Sequence, residues 1–315
     1  LDLHGSVYDM SESSDTGYKG DAVFNVPLID DKLAFRGLIG YDEIPGFIDY
    51  NRVIGKDQAG LVNPDDPDAW RRFEDANDAE TTFARGSLLW QMNDAAEAVL
   101  SYHYQKVESG GRSADSNVAL GTGEYVYGRR FLEPKERENQ LFSLEINWDL
   151  GFAELTSATG YSMYEDQEQR DQTDLLLDIG YSYETFPEFA AFTNDQKEED
   201  TLTQEIRLVS TSDGPLNWIV GAFYKDVDFK ELNEEFTPGY SGSDVYDDNV
   251  VAFGGIPADE LETGDLEYRS ITDVNADELA VFGEVGYQFT DAWQVTGCVA
   301  GISLESNFSH WILFL

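Results

Sequence analysis

The groups that could carry chemistry in this chain are few, and most are widely spaced. Its three histidines, His4, His103 and His310, lie far apart in sequence, and Cys298 is the only cysteine, so no intrachain disulfide can form. The phosphate cradle GxxxxGK[ST], the nucleophile elbow GxSxG and the zinc helix HExxH are all missing, so no catalytic set, cofactor-binding set or metal-ligand set is expected and the protein reads as a non-enzyme. Glu205 and Arg207 share one face two residues apart, which suits an ion pair better than acid-base catalysis. Asp65, Asp66 and Asp68 in NPDDPDAW have the density of a calcium loop but lack the ligand order and the glycine of an EF-hand. Arg112, Arg129, Arg130 and Arg137 form the one basic concentration in an acidic chain. Guanidinium groups bind carboxylates or phosphates through paired N–H donors, so these four are the candidate ligand-facing loop residues. The competing reading is that Glu124, Glu133, Glu136 and Glu138 simply neutralise them.

The elements that must position these groups are strands. In Thr201 to Phe229, Leu202, Ile206 and Leu208 fall on one parity and Thr203, Glu205 and Arg207 on the other. Ser212-Asp213-Gly214-Pro215 turns the chain, and Leu216, Trp218, Val220, Ala222 and Tyr224 return on one side. The same alternation recurs in Gly20 to Leu28, Leu33 to Tyr41, Ala84 to Met92, Ala98 to Gln105, Phe142 to Leu150 and Leu279 to Phe289. Short turns fall near residues 30, 94, 151, 213 and 291. Long polar connections lie between them, at about 43–77, 109–137, 174–198 and 237–269. Strands with short turns at one end, long loops at the other and Trp90, Trp148, Trp218 and Trp293 near strand ends predict an all-β fold. The specific expectation is an up-and-down antiparallel transmembrane β-barrel.

Composition agrees. Aromatic residues make up 13% of the 315 residues, with 28 glycines. A mean hydropathy of -0.41 and the lack of a long apolar run exclude helical membrane spans but not a barrel, whose alternation averages out. The net charge of -42 argues against any nucleic-acid partner. It leaves an alternative reading, an acidic soluble or surface β protein that binds calcium or glycans. The chain opens at Leu1 without a basic or apolar leader, which suggests a mature or truncated fragment.

Several segments resemble the barrel portion of TonB-dependent outer-membrane receptors. They are Ala22 to Arg36 (AVFNVPLIDDKLAFR), GFIDY at Gly46 to Tyr50, Leu202 to Leu208 (LTQEIRL), Gly221 to Tyr224 (GAFY) and Leu279 to Tyr287 (LAVFGEVGY). The resemblance implies a barrel in the outer membrane of a Gram-negative bacterium, in contact with its lipid. It also implies import of a scarce nutrient, foremost a ferric siderophore, energised by the TonB complex. The chain is expected to lack the TonB box and plug that the resemblance would place before Leu1, and about eleven strands are visible, half of a 22-stranded barrel. The chain is therefore expected to be the N-terminal part of a receptor barrel over 1–300, with coupling to TonB confined to the full-length parent. Residues 301–315, GISLESNFSHWILFL, depart from the alternation and are expected to form an atypical tail.

Overall fold

Where apolar and polar residues alternate, an extended chain acquires two unlike faces, and those stretches are strands in the computed structural model. The structure describes residues 1–54, 71–114, 123–180, 190–212, 214–238 and 265–314. In chain order the elements are β1 (Asp2–Asp9), β2 (Thr16–Ile29), β3 (Leu33–Ile44), β4 (Asp49–Val53), β5 (Arg71–Phe73), β6 (Ala79–Asn93), β7 (Ala96–Ser109) and β8 (Val126–Tyr127). They continue as β9 (Lys135–Asp149), β10 (Ala153–Asp171), α1 (Thr173–Asp178), β11 (Phe192–Ser210), β12 (Leu216–Phe236), β13 (Leu266–Thr290) and β14 (Trp293–Phe314). Eleven of the strands form one sheet in the order β1-β2-β3-β6-β7-β9-β10-β11-β12-β13-β14, every neighbouring pair antiparallel. The small strands β5-β4-β8 make a separate three-stranded sheet in the loops.

Register shows how the two faces differ. One cross-strand row runs Leu33, Trp90, Ala98, Ile146, Ser157, Ile206, Ala222 and Val281. A row on the other face runs Arg36, Ser87, Ser101, Ser143, Gly160, Thr203, Lys225 and Glu278. The apolar row is open to the surroundings, with Trp90 at 52%, Ile206 at 48% and Val281 at 55% exposure. A soluble sandwich would bury that face against a second sheet; this wall presents it outward, as a barrel does to lipid. Trp148 at the short-turn end and Phe142, packed 4.5 Å from Tyr102, lie six residues apart on β9. That is about 20 Å at ~3.4 Å per residue, close to the ~25 Å apolar band of a membrane barrel. One cavity of 760 Å³ is lined by the polar face from Leu38 on β3 to Glu199 on β11, so the sheet curls toward that face. The architecture is a partial up-and-down antiparallel transmembrane β-barrel.

Close strand approach is tuned locally. Phe24 lies across Gly37 on β3 and Phe282 across Gly221 on β12, each the direct cross-strand partner, and a Cβ at either glycine would collide with the ring. The turn between β9 and β10 needs the left-handed backbone of Gly151, at φ 83°.

Several strands run further than alternation suggests. β11 begins at Phe192 and β13 at Leu266, inside stretches that read as long connections. Nine to eleven residues suffice to cross the hydrocarbon, whereas β11 has 19 and β13 has 25, so their outer halves stand in water and need no apolar face. α1 falls within the third connection, where no helix is legible in the sequence. Residues 301–314 remain in β14, paired with β13. The pattern nonetheless slips there. Ser303 and Glu305 lie opposite Leu279 and Asp277 on the outward face, while Ile302 and Leu304 lie opposite Ala280 and Glu278 on the polar one.

The two faces predict opposite tolerances. Leu144→Arg on the outward face should cost about 2–4 kcal/mol of folding free energy in phospholipid vesicles, whereas Ser143→Arg on the lumen face should be close to neutral. Urea titration of both variants checks this, and equal losses would contradict the assignment of faces.

Candidate functional site

The long connections do not hang free. Ile48, Tyr50, Val53 and Tyr127 form a buried cluster with Phe47, Phe73 and Leu132 packed on it, and Ile54, Phe131, Ala190 and Phe192 form a second against Phe236. These segments lie in water, where burying apolar surface stabilises, so the large buried apolar side chains of the described residues gather here rather than in the wall. The GFIDY segment is the entry to this layer. A Cβ at Gly46 would strike the backbone of Asp75, and the Asn77 side-chain carbonyl accepts from the backbone N–H groups of Phe47 and Ile48, both at 2.7 Å.

At the centre sits Glu133, 2% exposed. It accepts from the Tyr50 hydroxyl at 2.8 Å, the Arg112 Nε at 3.0 Å and the Asp171 backbone N–H at 3.1 Å, with the Arg129 Nε at 3.9 Å. Asp171 in turn accepts from the backbone N–H groups of Arg130, Phe131 (2.9 Å) and Thr173 (2.8 Å). Arg129 stacks 3.9 Å above the Tyr127 ring and pairs with Asp174. Burial pushes the Asp171 carboxyl above its ordinary value, against the opposing pull of Arg129. Burial, then the charge and hydrogen bond of Glu133, raise the Tyr50 phenol. Burial works against the charge on Arg112, but the Glu133 bond and its charge outweigh this and hold the guanidinium protonated.

The four arginines therefore divide. The Arg112 and Arg129 guanidinium groups converge on Glu133 and Asp171, Arg130 meets Asp171 through its backbone N–H, and Arg130 is fully buried while the Arg112 side chain is still 40% exposed. Arg137 stands apart on the lumen face of β9, held by Asp166 at 2.7 and 2.8 Å beside Tyr164. Of the glutamates weighed as counter-ions, Glu133 serves two arginines, Glu136 takes Lys106 at 3.1 Å and Glu138 takes the Tyr104 hydroxyl at 3.2 Å. The remaining partners, Asp166, Asp171 and Asp174, carried no signal in the sequence beyond being acidic. Tyr50 was visible only as the last residue of GFIDY.

Elsewhere Glu205 and Arg207 pair at 3.5 Å. His4 bonds Asp21 at 2.7 Å, His310 bonds Thr272 at 2.9 Å and His103 lines the lumen cavity, on three strands that are not neighbours. Cys298 is exposed on β14. Asp65, Asp66 and Asp68 lie outside the described residues.

The sequence matches no protein-family model and no curated protein. Solved structures do match. The ferric yersiniabactin uptake receptor FyuA from Yersinia pestis aligns over 99% of this chain and 43% of its own at 10% identity, with a TM-score of 0.60. The ferripyoverdine receptor of the outer membrane of Pseudomonas aeruginosa aligns over 98% of this chain and 37% of its own at 11% identity and a TM-score of 0.58. The chain has the barrel-wall fold of the TonB-dependent outer-membrane receptors. A third match, the outer membrane transporter YddB from Escherichia coli, covers 94% of this chain and 35% of its own at 10% identity, with a TM-score of 0.50. The chain thus spans less than half the length of each of these proteins.

Removing the hub tests its role. Glu133→Gln leaves Arg112 without its counter-charge, while Arg129 keeps Asp171 and Asp174, and should cost the loop layer about 3–5 kcal/mol, read as lost hydrogen-exchange protection at Tyr50 and Phe131 with the wall unchanged. A phenol raised above its ordinary value of about 10 contributes stability that is intact below that pH and is lost as pH climbs toward the folded value. Protection of the loop layer should therefore fall at strongly alkaline pH, and Tyr50→Phe should flatten that dependence.

Proposed function

We propose that this chain supplies wall and extracellular loop layer to an outer-membrane importer of a ferric siderophore, with the loops receiving the ligand and the polar face lining its route. The single observation that carries the reading is a packed, ion-paired loop layer standing above a wall that is apolar outside and polar inside. The named activities of the neighbours, uptake of ferric yersiniabactin and binding of ferripyoverdine, support the ligand class. In the full-length parent the TonB complex is the energy-coupling partner, residues 1–300 belong to the barrel, and 301–315 form a segment of different patterning. The chain itself performs no reaction and needs no cofactor, and its charge of -42 repels nucleic acid. The exposed apolar face counts against the alternative of an acidic soluble protein binding calcium or glycans.

Of the three candidate arginines in the loop layer, Arg112 is the ligand contact, because its guanidinium reaches solvent while Arg129 and Arg130 are buried; Arg137, equally exposed, lies below on the lumen face and is held by Asp166. Binding of iron(III) chelates to the full-length protein in outer-membrane vesicles, followed by tryptophan fluorescence, tests both statements. Saturable binding, weakened roughly 10-fold by Arg112→Ala as expected for a lost charge-assisted hydrogen bond, supports them. Calcium or glycan binding by detergent-free monomer, with no chelate bound, would favour the alternative.

A further inference from the structure

The outward face carries a second ordered feature, above the apolar belt. Glu80 on β6, Glu108 on β7, Glu136 on β9, Glu165 on β10, Asp228 on β12 and Asp277 on β13 share the parity of the apolar row. Each lies 12 or 13 residues from the short-turn end of its strand, so these carboxylates stand at one height around the wall. Twelve residues are roughly 40 Å along a strand and, at a tilt of ~40°, roughly 30 Å above the turns, just past the ~25 Å apolar band. Tyrosines sit directly beneath and donate into this level: Tyr41 to Glu43 at 3.1 Å, Tyr104 to Glu138 at 3.2 Å and Tyr224 to Asp277 at 2.8 Å. Phenols so placed mark the lipid–water boundary. The carboxylates therefore lie in the headgroup layer.

Cross-strand register sharpens the feature between β3 and β9. Glu43 faces Glu80, Glu80 faces Glu108 and Glu108 faces Glu136, each pair as direct partners on neighbouring strands. Like charges directly opposite one another destabilise a sheet unless a cation lies between them. The chain shows what such a gap accepts: the Lys106 ammonium stands 3.0 Å from Glu108 and 3.1 Å from Glu136, bridging the two. A groove of 590 Å³ runs past Glu80, Glu108 and Glu136 on the same side. Gln169, 7% exposed, lines it too; its Nε2 donates to the Leu132 carbonyl at 2.6 Å, and its buried Oε1 has no partner among the described residues. A carbonyl oxygen beside carboxylates is a donor set for a hard cation. Among the described residues no three acidic or histidine side chains converge closely enough to hold a metal ion alone, so the remaining oxygens around a cation would come from outside the chain.

We infer that this belt docks the wall on an anionic headgroup layer through divalent cations shared between its carboxylates and lipid phosphates. An anionic surface that meets these carboxylates directly is repelled. A divalent cation takes six or more oxygens from mixed sources and turns that repulsion into a bridge. Neither a lumen plug nor further barrel strands cover an outward face, so the partner at this level is the membrane. The inference rests on the reading of the apolar face as lipid-facing and is independent of which ligand the loops receive.

The test measures which lipid the full-length protein holds at its surface, by electron paramagnetic resonance of spin-labelled lipids in phosphatidylcholine vesicles. Spin-labelled phosphatidylglycerol should associate about 3-fold more strongly in millimolar Mg²⁺ than in chelator, the size of an exposed ion pair, whereas labelled phosphatidylcholine should not respond. Glu80→Gln/Glu136→Gln, which leaves Lys106 paired with Glu108, should remove most of the Mg²⁺ response. Asp228→Asn/Asp277→Asn on the far strands should reduce it in part, and heat-modifiable migration of both variants shows that the barrel is intact. A phosphatidylglycerol preference that ignores Mg²⁺, or a Mg²⁺ response that both variants retain in full, overturns the inference. So does enrichment of spin-labelled phosphatidylethanolamine in chelator, because the carboxylates would then take lipid ammonium groups directly, as they take Lys106. The uptake reading stands or falls separately, on chelate binding by the same preparation.

Discussion

Every backbone N–H and C=O at membrane depth needs a partner inside the protein, since each group left unsatisfied in hydrocarbon costs several kcal/mol. The antiparallel ladder from β1 to β14 meets that demand, and the rest of the structure follows from it. A ladder puts alternate side chains on opposite faces, so a wall between lipid and water must alternate apolar with polar. The row from Leu33 to Val281 and the neighbouring row from Arg36 to Glu278 are that requirement written across the sheet. Among the described residues β1 and β14 are each paired on one side only, the position that barrel closure covers.

The wall and the loop layer obey different solvents. In the wall the exposed apolar side chains are stable because their surroundings are apolar, and nothing drives them together. Beyond the membrane the hydrophobic effect returns, and Tyr50, Phe131 and their neighbours form a conventional core. Charge follows the same division in reverse. Glu133 and Asp171 are buried at the heart of the loop layer, and they hold there because hydroxyl, guanidinium and backbone donors surround them. On the lumen face, most ion pairs join directly paired residues of neighbouring strands instead, as between Arg137 on β9 and Asp166 on β10.

Much of the wall was legible from the period of two, including the turns near residues 30, 94, 151 and 291 and the outward faces of β3, β7, β9 and β12. The strand starts at Phe192 and Leu266 were not. DQKEED at residues 195–200 is charged on both parities, and a strand standing in water has no apolar face to betray it. α1, a six-residue helix, is too short to show a helical period.

The sequence by itself determined which residues form the wall, which face of each strand is apolar and which connections are short. Alternation is a local property, readable within a few residues, and the membrane enforces it strand by strand. Only the tertiary structure decided the partners: that Arg112 meets Glu133, that Arg129 meets Asp174, and that Arg137 and Lys135 share Asp166. With 62 carboxylates available to 20 cations, sequence offers every arginine many equivalent counter-ions. Which of them comes within hydrogen-bonding distance depends on cross-strand register and on how distant loops pack together, and neither is written in the neighbouring residues.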